Sequence, residues 1–256
     1  MPAGHLEAVC GHRAAGGVRV TPVSGQRRGA AHLDLALVAE GQRYLPCDAG
    51  LRERGVSEAR PLDFHSPYGC SKGTADQYVL DYARSYDLKT TVFRMSCIYG
   101  PRQFGNEDQG WVAHFILRAL RGEAITLYGD GKQVRDVLFI DDLVDAFLLA
   151  QQHGARLAGR AFNMGGGPAN AISLLDLLDI MENLHGRRPE LEFDEWRTGD
   201  QRYYVSDTSA FESATGWQRR VNAEDGIARL YHWLAGRLRH AATVPKTRIN
   251  QVAGAH

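Results

Sequence analysis

The chain has 256 residues, enough for one large domain or two small ones, and 44% of them are hydrophobic, enough to build a core. Thirty basic and thirty acidic side chains give zero formal charge, which argues against general nucleic-acid binding and against an electrostatic hold on a membrane. No apolar run reaches the about 18 residues of a transmembrane helix, no apolar leader opens the chain, and Cys10, Cys47, Cys70 and Cys97 form neither CxxC nor a Cys/His cluster, so they read as reduced cytoplasmic thiols with no zinc or other metal site.

Residues 1–31 differ from the remainder of the chain. Sixteen of these thirty-one are Gly, Ala or Arg, and none is Ile, Phe, Tyr, Trp or Lys. No strand alternation or helical stripe is visible, which predicts a segment without packed structure of its own. Gly16-Gly17 and Gly25 do not make a GxGxxG, and no apolar strand precedes them. From His32 the texture changes. Leu33, Leu35, Leu37 and Val38 predict a short strand or a helix end, and the polar stretch 40–65 a long surface loop. Pro67 starts a helix with Ala75, Tyr78, Val79, Tyr82 and Ala83 at helical spacing, ending near Asp87. Residues 90–98 are β-branched and apolar without clean alternation, as in a buried parallel strand, and Tyr99-Gly100-Pro101 breaks them.

Further helices are predicted at 111–121, behind Asp141-Asp142 as a cap, behind Ser173 as a cap, at 208–214 and at 223–238. Short strands are predicted at 125–128, 134–140, 161–164 and 191–193. Gly129-Asp130-Gly131 reads as a tight turn and the chain from Arg239 as a loose tail. Helices alternating with short strands predict an α/β fold with a parallel sheet, and the loop-richer second half predicts a smaller substrate-covering lobe.

The chemistry-bearing pair is Tyr68 and Lys72. Four residues apart on one helix, they share a face. A tyrosine titrates near pH ~10, too high for a base at neutral pH, and a neighbouring ammonium favours its phenolate. Such a Tyr can take a proton from an alcohol and return it. The plainer reading is an ordinary amphipathic helix with a surface Lys. His65 and His114 form no HxH or HxxxH; His65 precedes the helix and can line a pocket, and His114 falls among apolar helix positions and reads as structural.

The segments FHSPYGCSKGTADQYVLDYAR (64–84), TTVFRMSCIYGPRQFGNEDQGW (90–111), LYGDGKQVRDVLFIDDLVDAF (127–147), AFNMGGG (161–167) and GDQRYYVSDTS (199–209) together resemble the extended short-chain dehydrogenase/reductase family, with its NAD-dependent epimerases and dehydratases. SPYGCSKG, GPRQF, DQGW and GKQVRDVL are most similar to the CDP-paratose 2-epimerase branch. The resemblance implies a Rossmann-like parallel sheet, with 32–105 as the remnant of the NAD-binding domain, 106–238 as mostly substrate-binding lobe, and 1–31 and 239–256 outside it. It implies NAD as cofactor and a CDP-linked or other nucleotide-sugar as substrate. Tyr68 would take the hydroxyl proton, and Lys72 would hold the Tyr pKa down and bond the nicotinamide ribose. A transient keto-sugar would turn and be reduced on its other face.

The same resemblance assigns Cys97 and Tyr99 to the strand that passes the nicotinamide, Gln103, Gln109 and Trp111 to the sugar pocket, and Arg135 and Arg202 to the diphosphate, which a guanidinium meets with forked donors. Arg135 as a surface partner of Asp136 or Asp141, and Trp111 as core, are the plainer alternatives. The resemblance also implies a homodimer through a four-helix bundle that includes the Tyr68 helix. Family members carry a GxxGxxG unit and roughly a hundred residues before the catalytic Tyr, against sixty-seven here. The expectation is therefore a truncated or frame-shifted start, with family sequence from near Leu33, an incomplete sheet and weak NAD binding. Ser24 is a stand-in for the family's assisting Ser/Thr. Alternatives are a 4-epimerase or 4,6-dehydratase of the same family, or a non-catalytic protein that binds sugar nucleotides.

Overall fold

The computed structural model describes residues 34–39, 53–64, 66–197 and 200–243. Ser24 and His65 lie outside them. β1 (Asp34–Ala39) is a strand rather than a helix end, and it pairs in parallel with β2 (Thr90–Met95). The crossover between them contains α1 (Pro67–Tyr86). Ser66 caps α1 by accepting the Gly69 N–H at 3.0 Å, and Pro67 takes the first helical position, where its missing N–H costs nothing. The expected loop over 40–65 is corrected in its described part. Val56 is buried, bridges Ser206, donates its N–H to Val205 O and accepts at its carbonyl from Asp207 N and Asn163 Nδ2.

Residues 90–98 are not one strand. β2 ends at Met95, and β3 (Cys97–Tyr99) joins a different sheet. Ser96 makes the switch because its hydroxyl turns to Asp136. α2 (Trp111–Arg121) comes next, then β4 (Ile125–Tyr128), β5 (Val134–Phe139), α3 (Ile140–Gln152), the short α4 (Gly154–Leu157) and β6 (Arg160–Met164). β7 (Ala171–Ser173), α5 (Leu174–His185), β8 (Leu191–Asp194), β9 (Tyr203–Tyr204), α6 (Ser209–Thr215) and α7 (Ala223–Thr243) complete the described chain. α7 continues past Arg239, through the start of the expected loose tail.

The sheets are the parallel β1-β2-β6, the mixed β3-β5-β7 with β9 parallel to β5, and the parallel pair β4-β8. The turn at 129–131 is thus no hairpin: β4 finds its partner more than sixty residues on. Ser173 caps α5 in a reciprocal box with Asp176, as its sequence promises. The Asp141-Asp142 cap fails. Phe139 occupies the cap position, and the buried Asp142 carboxylate accepts the Arg220 and Val221 N–H groups, both at 3.1 Å. Ile116, Leu178, Met181, Leu230 and Leu234 fill one core cluster, and Phe93, Phe162, Leu143, Phe211 and Trp217 another. Each such side chain contributes about 1.5–3 kcal/mol when taken out of water.

Glu58 ties the stretch before α1 to the edge of the parallel sheet by accepting the Asn163 N–H at 2.7 Å. Burial lifts its carboxyl above the ordinary value; the Asn163 N–H and Arg94 act against that, and Asp207 adds to it. An acid whose folded value is raised favours folding when protonated. Its contribution is therefore present at low pH and lost as pH rises through the folded value. E58Q is expected to flatten that part of the stability profile, read as urea midpoints at about pH 5 and about pH 8.

Candidate active site

α1 runs antiparallel to β2. Thr90, which opens β2, donates its hydroxyl to Val79 O at 3.1 Å, and Arg94 near the end of β2 reaches Asp76. Each step back along α1 therefore moves toward the carboxyl end of the sheet. Lys72 and Tyr68, one and two turns before Asp76, lie furthest that way, where open α/β sheets take their ligands. Lys72 Nζ stands 5.4 Å from the centre of the Tyr68 ring, so the two share a face of the helix, and Tyr68 is 47% exposed. An accessible phenol with an ammonium beside its ring is the arrangement a proton-transferring tyrosine needs.

The loop after β3 gathers another group of the expected residues. Trp111 donates its indole N–H to Cys97 Sγ at 3.2 Å. Gln103 donates Nε2 to Ile98 O at 3.1 Å, which fixes the direction of its amide, and its Oε1 is buried without a partner among the described residues. A buried carbonyl oxygen of this kind wants a donor such as a hydroxyl. Gly110, in the left-handed region at φ 73°, brings the backbone so close to Gln103 that a Cβ there would lie 3.0 Å from Nε2. Gln109 is exposed and closes its own turn onto Asn106. Tyr99 turns into the core, with its hydroxyl toward Ala223 O and its pKa pushed up by burial. Trp111 also packs edge-on against Phe115, so it serves the core and the loop together.

Arg135 is buried on β5. Its partner is Asp200, at 3.0 Å, not Asp136 or Asp141, because side chains alternate along a strand and Asp136 points to the opposite face. Arg202 does not join it: its guanidinium lies over the Trp196 ring at 4.6 Å. The Arg202 carbonyl accepts the Val134 N–H beside Arg135 at 3.0 Å, and the Arg197 carbonyl accepts the Asp200 N–H at 3.1 Å. Arg197 pairs with Glu107 at 3.1 Å and covers the Tyr128 ring at 3.9 Å. Glu107 is held below the usual carboxylate range, first by the Tyr128 hydroxyl.

Sequence reading missed Asp136. It is fully buried, and its carboxylate accepts from Ser96 Oγ, from Gly167 N at 2.9 Å and from Ser206 N at 3.1 Å. One side chain thus pins the β2–β3 switch, the glycine turn after β6 and the strand end before α6. Gly165 and Gly166 permit this: a Cβ on Gly165 would meet Asp136 Oδ2 at 2.2 Å, and one on Gly166 would meet Val137 O at 2.1 Å. The signal was a second charge inside an apolar strand.

Among the described residues no group of three His, Cys, Asp or Glu suits a metal ion, and no helix is long and apolar enough to cross a membrane.

Residues 47–165 match the model of the NAD dependent epimerase/dehydratase family. The chain is 43% identical over 190 residues to CDP-paratose 2-epimerase from Salmonella typhi, covering 71% of this chain and 55% of that protein. It is 35% identical to UDP-glucose 4-epimerase from Mycolicibacterium smegmatis, covering 68% and 54%. The UDP-glucose 4-epimerase of Thermotoga maritima, solved with UDP-glucose, superposes with a TM-score of 0.71 at 29% identity, over 80% of this chain and 64% of that one. The chain thus spans about half the length of the curated relatives it matches. With the Tyr68–Lys72 helix at the end of a parallel sheet, residues 47–165 carry a domain of the NAD dependent epimerase/dehydratase family.

Proposed function

We propose that this chain carries the proton-transfer and sugar-nucleotide-binding apparatus of an NAD-dependent nucleotide-sugar epimerase of the CDP-paratose 2-epimerase kind. The observation that carries the reading is the Tyr68–Lys72 pair on one exposed face of α1. Tyr68, as phenolate, takes the proton of the sugar hydroxyl at the carbon to be inverted and later returns it. Lys72 favours that ionisation and offers its ammonium to the ribose of the cofactor. NAD, when bound, supplies the acceptance and return of hydride. The residues fit that role at the reacting end: the pair is accessible, and the Cys97–Gly100 backbone follows the end of β2 directly. Gln103 accepts a sugar hydroxyl at Oε1, and Arg135 takes the diphosphate.

Calorimetric titration with CDP and UDP tests the substrate half of this reading. Binding of CDP in preference to UDP is expected, and R135M is expected to weaken it about 10- to 100-fold, the worth of one or two charge-assisted hydrogen bonds. Equal binding by R135M would remove Arg135 from the site. We also propose a homodimer through α1, whose Tyr78, Tyr82 and Tyr86 are 63%, 48% and 67% exposed. Sedimentation of wild type as a dimer and of Y78E/Y82E as a monomer is the expected result.

A further inference from the structure

α1 is an unusual helix to build a site on. Its buried residues are Gly69, Gly73 and Asp76. Two glycines let the backbone come close, and a Cβ on Gly73 would lie 2.1 Å from the Phe64 ring. The half-buried Val79, Leu80 and Ala83 lie beyond Asp76, so the stretch around Gly69 and Gly73 that carries Tyr68 and Lys72 has no knobs to lock into grooves, and such a face resists rotation and sliding poorly. The tyrosines that would normally mark the packed stripe point outward. Something else must fix how far α1 is turned, and with it where Tyr68 and Lys72 stand.

The side chain able to do so is Asp76. It is fully buried, and it receives Arg94 in a forked pair, Nε to Oδ2 at 2.7 Å and Nη2 to Oδ1 at 3.2 Å. Arg94 is 14% exposed and stands on β2, in register with Asn163, whose N–H is held by Glu58. Forked pairing sets direction as well as distance, which a single hydrogen bond does not. We infer that the Asp76–Arg94 pair is a positioning device for the catalytic face of α1: it sets the rotation of the helix against β2 and so aims Tyr68 and Lys72, without touching substrate. What that aim achieves rests on the proposed function; the positioning itself does not.

The test is the D76L/R94M double variant, with D76E beside it. Replacing a buried pair by apolar side chains of similar size keeps stability, whereas D76N alone strands a buried cation and serves only as an unfolding control. The expected crystal structure of D76L/R94M has α1 turned against β2 by more than about 10°, beyond the tolerance of a working site, while its melting midpoint stays within a few degrees of wild type. D76E keeps the wild-type setting. Where wild type turns over a CDP-sugar, D76L/R94M is expected to lose kcat at least 100-fold with KM nearly unchanged, because Arg135 is on another sheet. An α1 that superposes on wild type within about 0.5 Å in D76L/R94M overturns the inference. A wild type without turnover overturns the proposed function and leaves the structural comparison to decide the positioning.

Discussion

Replacing Asp136 by alanine is expected to cost about 3 kcal/mol or more and to leave little folded protein at 37 °C. The carboxylate is fully buried and receives two backbone N–H groups and the Ser96 hydroxyl from three separate segments. Removing it leaves the Gly167 and Ser206 N–H groups buried with no acceptor in its place, and each orphaned donor costs about 1–3 kcal/mol. D136N is no rescue: an amide can present one oxygen, so its NH2 must face a donor. S96A is the milder control, because it removes one hydroxyl and leaves both backbone donors satisfied. Urea denaturation gives all three values. A D136A protein with a wild-type midpoint would mean that the three segments hold together without it.

The largest expected effect on activity belongs to Y68F. The phenol is 47% exposed, so losing its oxygen should change stability by less than about 0.5 kcal/mol. A missing proton acceptor removes about 10²- to 10⁴-fold from turnover. KM should move little, because the proposed hold on the diphosphate is at Arg135 and not at Tyr68. The split between an unchanged melting midpoint and a lost kcat separates this role from a structural one. A Y68F protein that kept most of its turnover would remove Tyr68 from proton transfer.

Much of the fold was legible because it rests on patterns that survive in one sequence. Pro67 marks the start of α1, Ser173 marks α5, and the β-branched run at 90–98 reads as a buried parallel strand, as its first six residues are. What failed did so for physical reasons. The spacing of Ala75, Tyr78, Val79, Tyr82 and Ala83 identified α1 as a helix but did not show its buried side, which is two glycines and an aspartate. Hydrophobic periodicity cannot register a face made by backbone approach and an ion pair. The break at Ser96 was hidden because its cause, Asp136, is forty residues away. Asp141-Asp142 looked like a cap, yet Asp142 serves a loop at 220–221.

The site divides the same way. Tyr68 and Lys72 were visible because both partners sit in one helix, four residues apart. Arg135 was visible, but its partner was not: Asp200 is sixty-five residues on, and a parallel β5–β9 pairing brings it near. Arg197 was not singled out, because nothing local tells which partner each guanidinium finds. The structure lays Arg202 on Trp196 and joins Arg197 to Glu107.

The most direct measurement is incubation of the full chain with CDP-paratose and excess NAD, followed by chromatographic analysis of the sugar. Formation of the C2 epimer, with no net NADH and with no product from Y68F, is the expected result. Binding of the CDP-sugar with no conversion at any NAD concentration would contradict a catalytic role for the Tyr68–Lys72 face and leave a sugar-nucleotide-binding protein in its place.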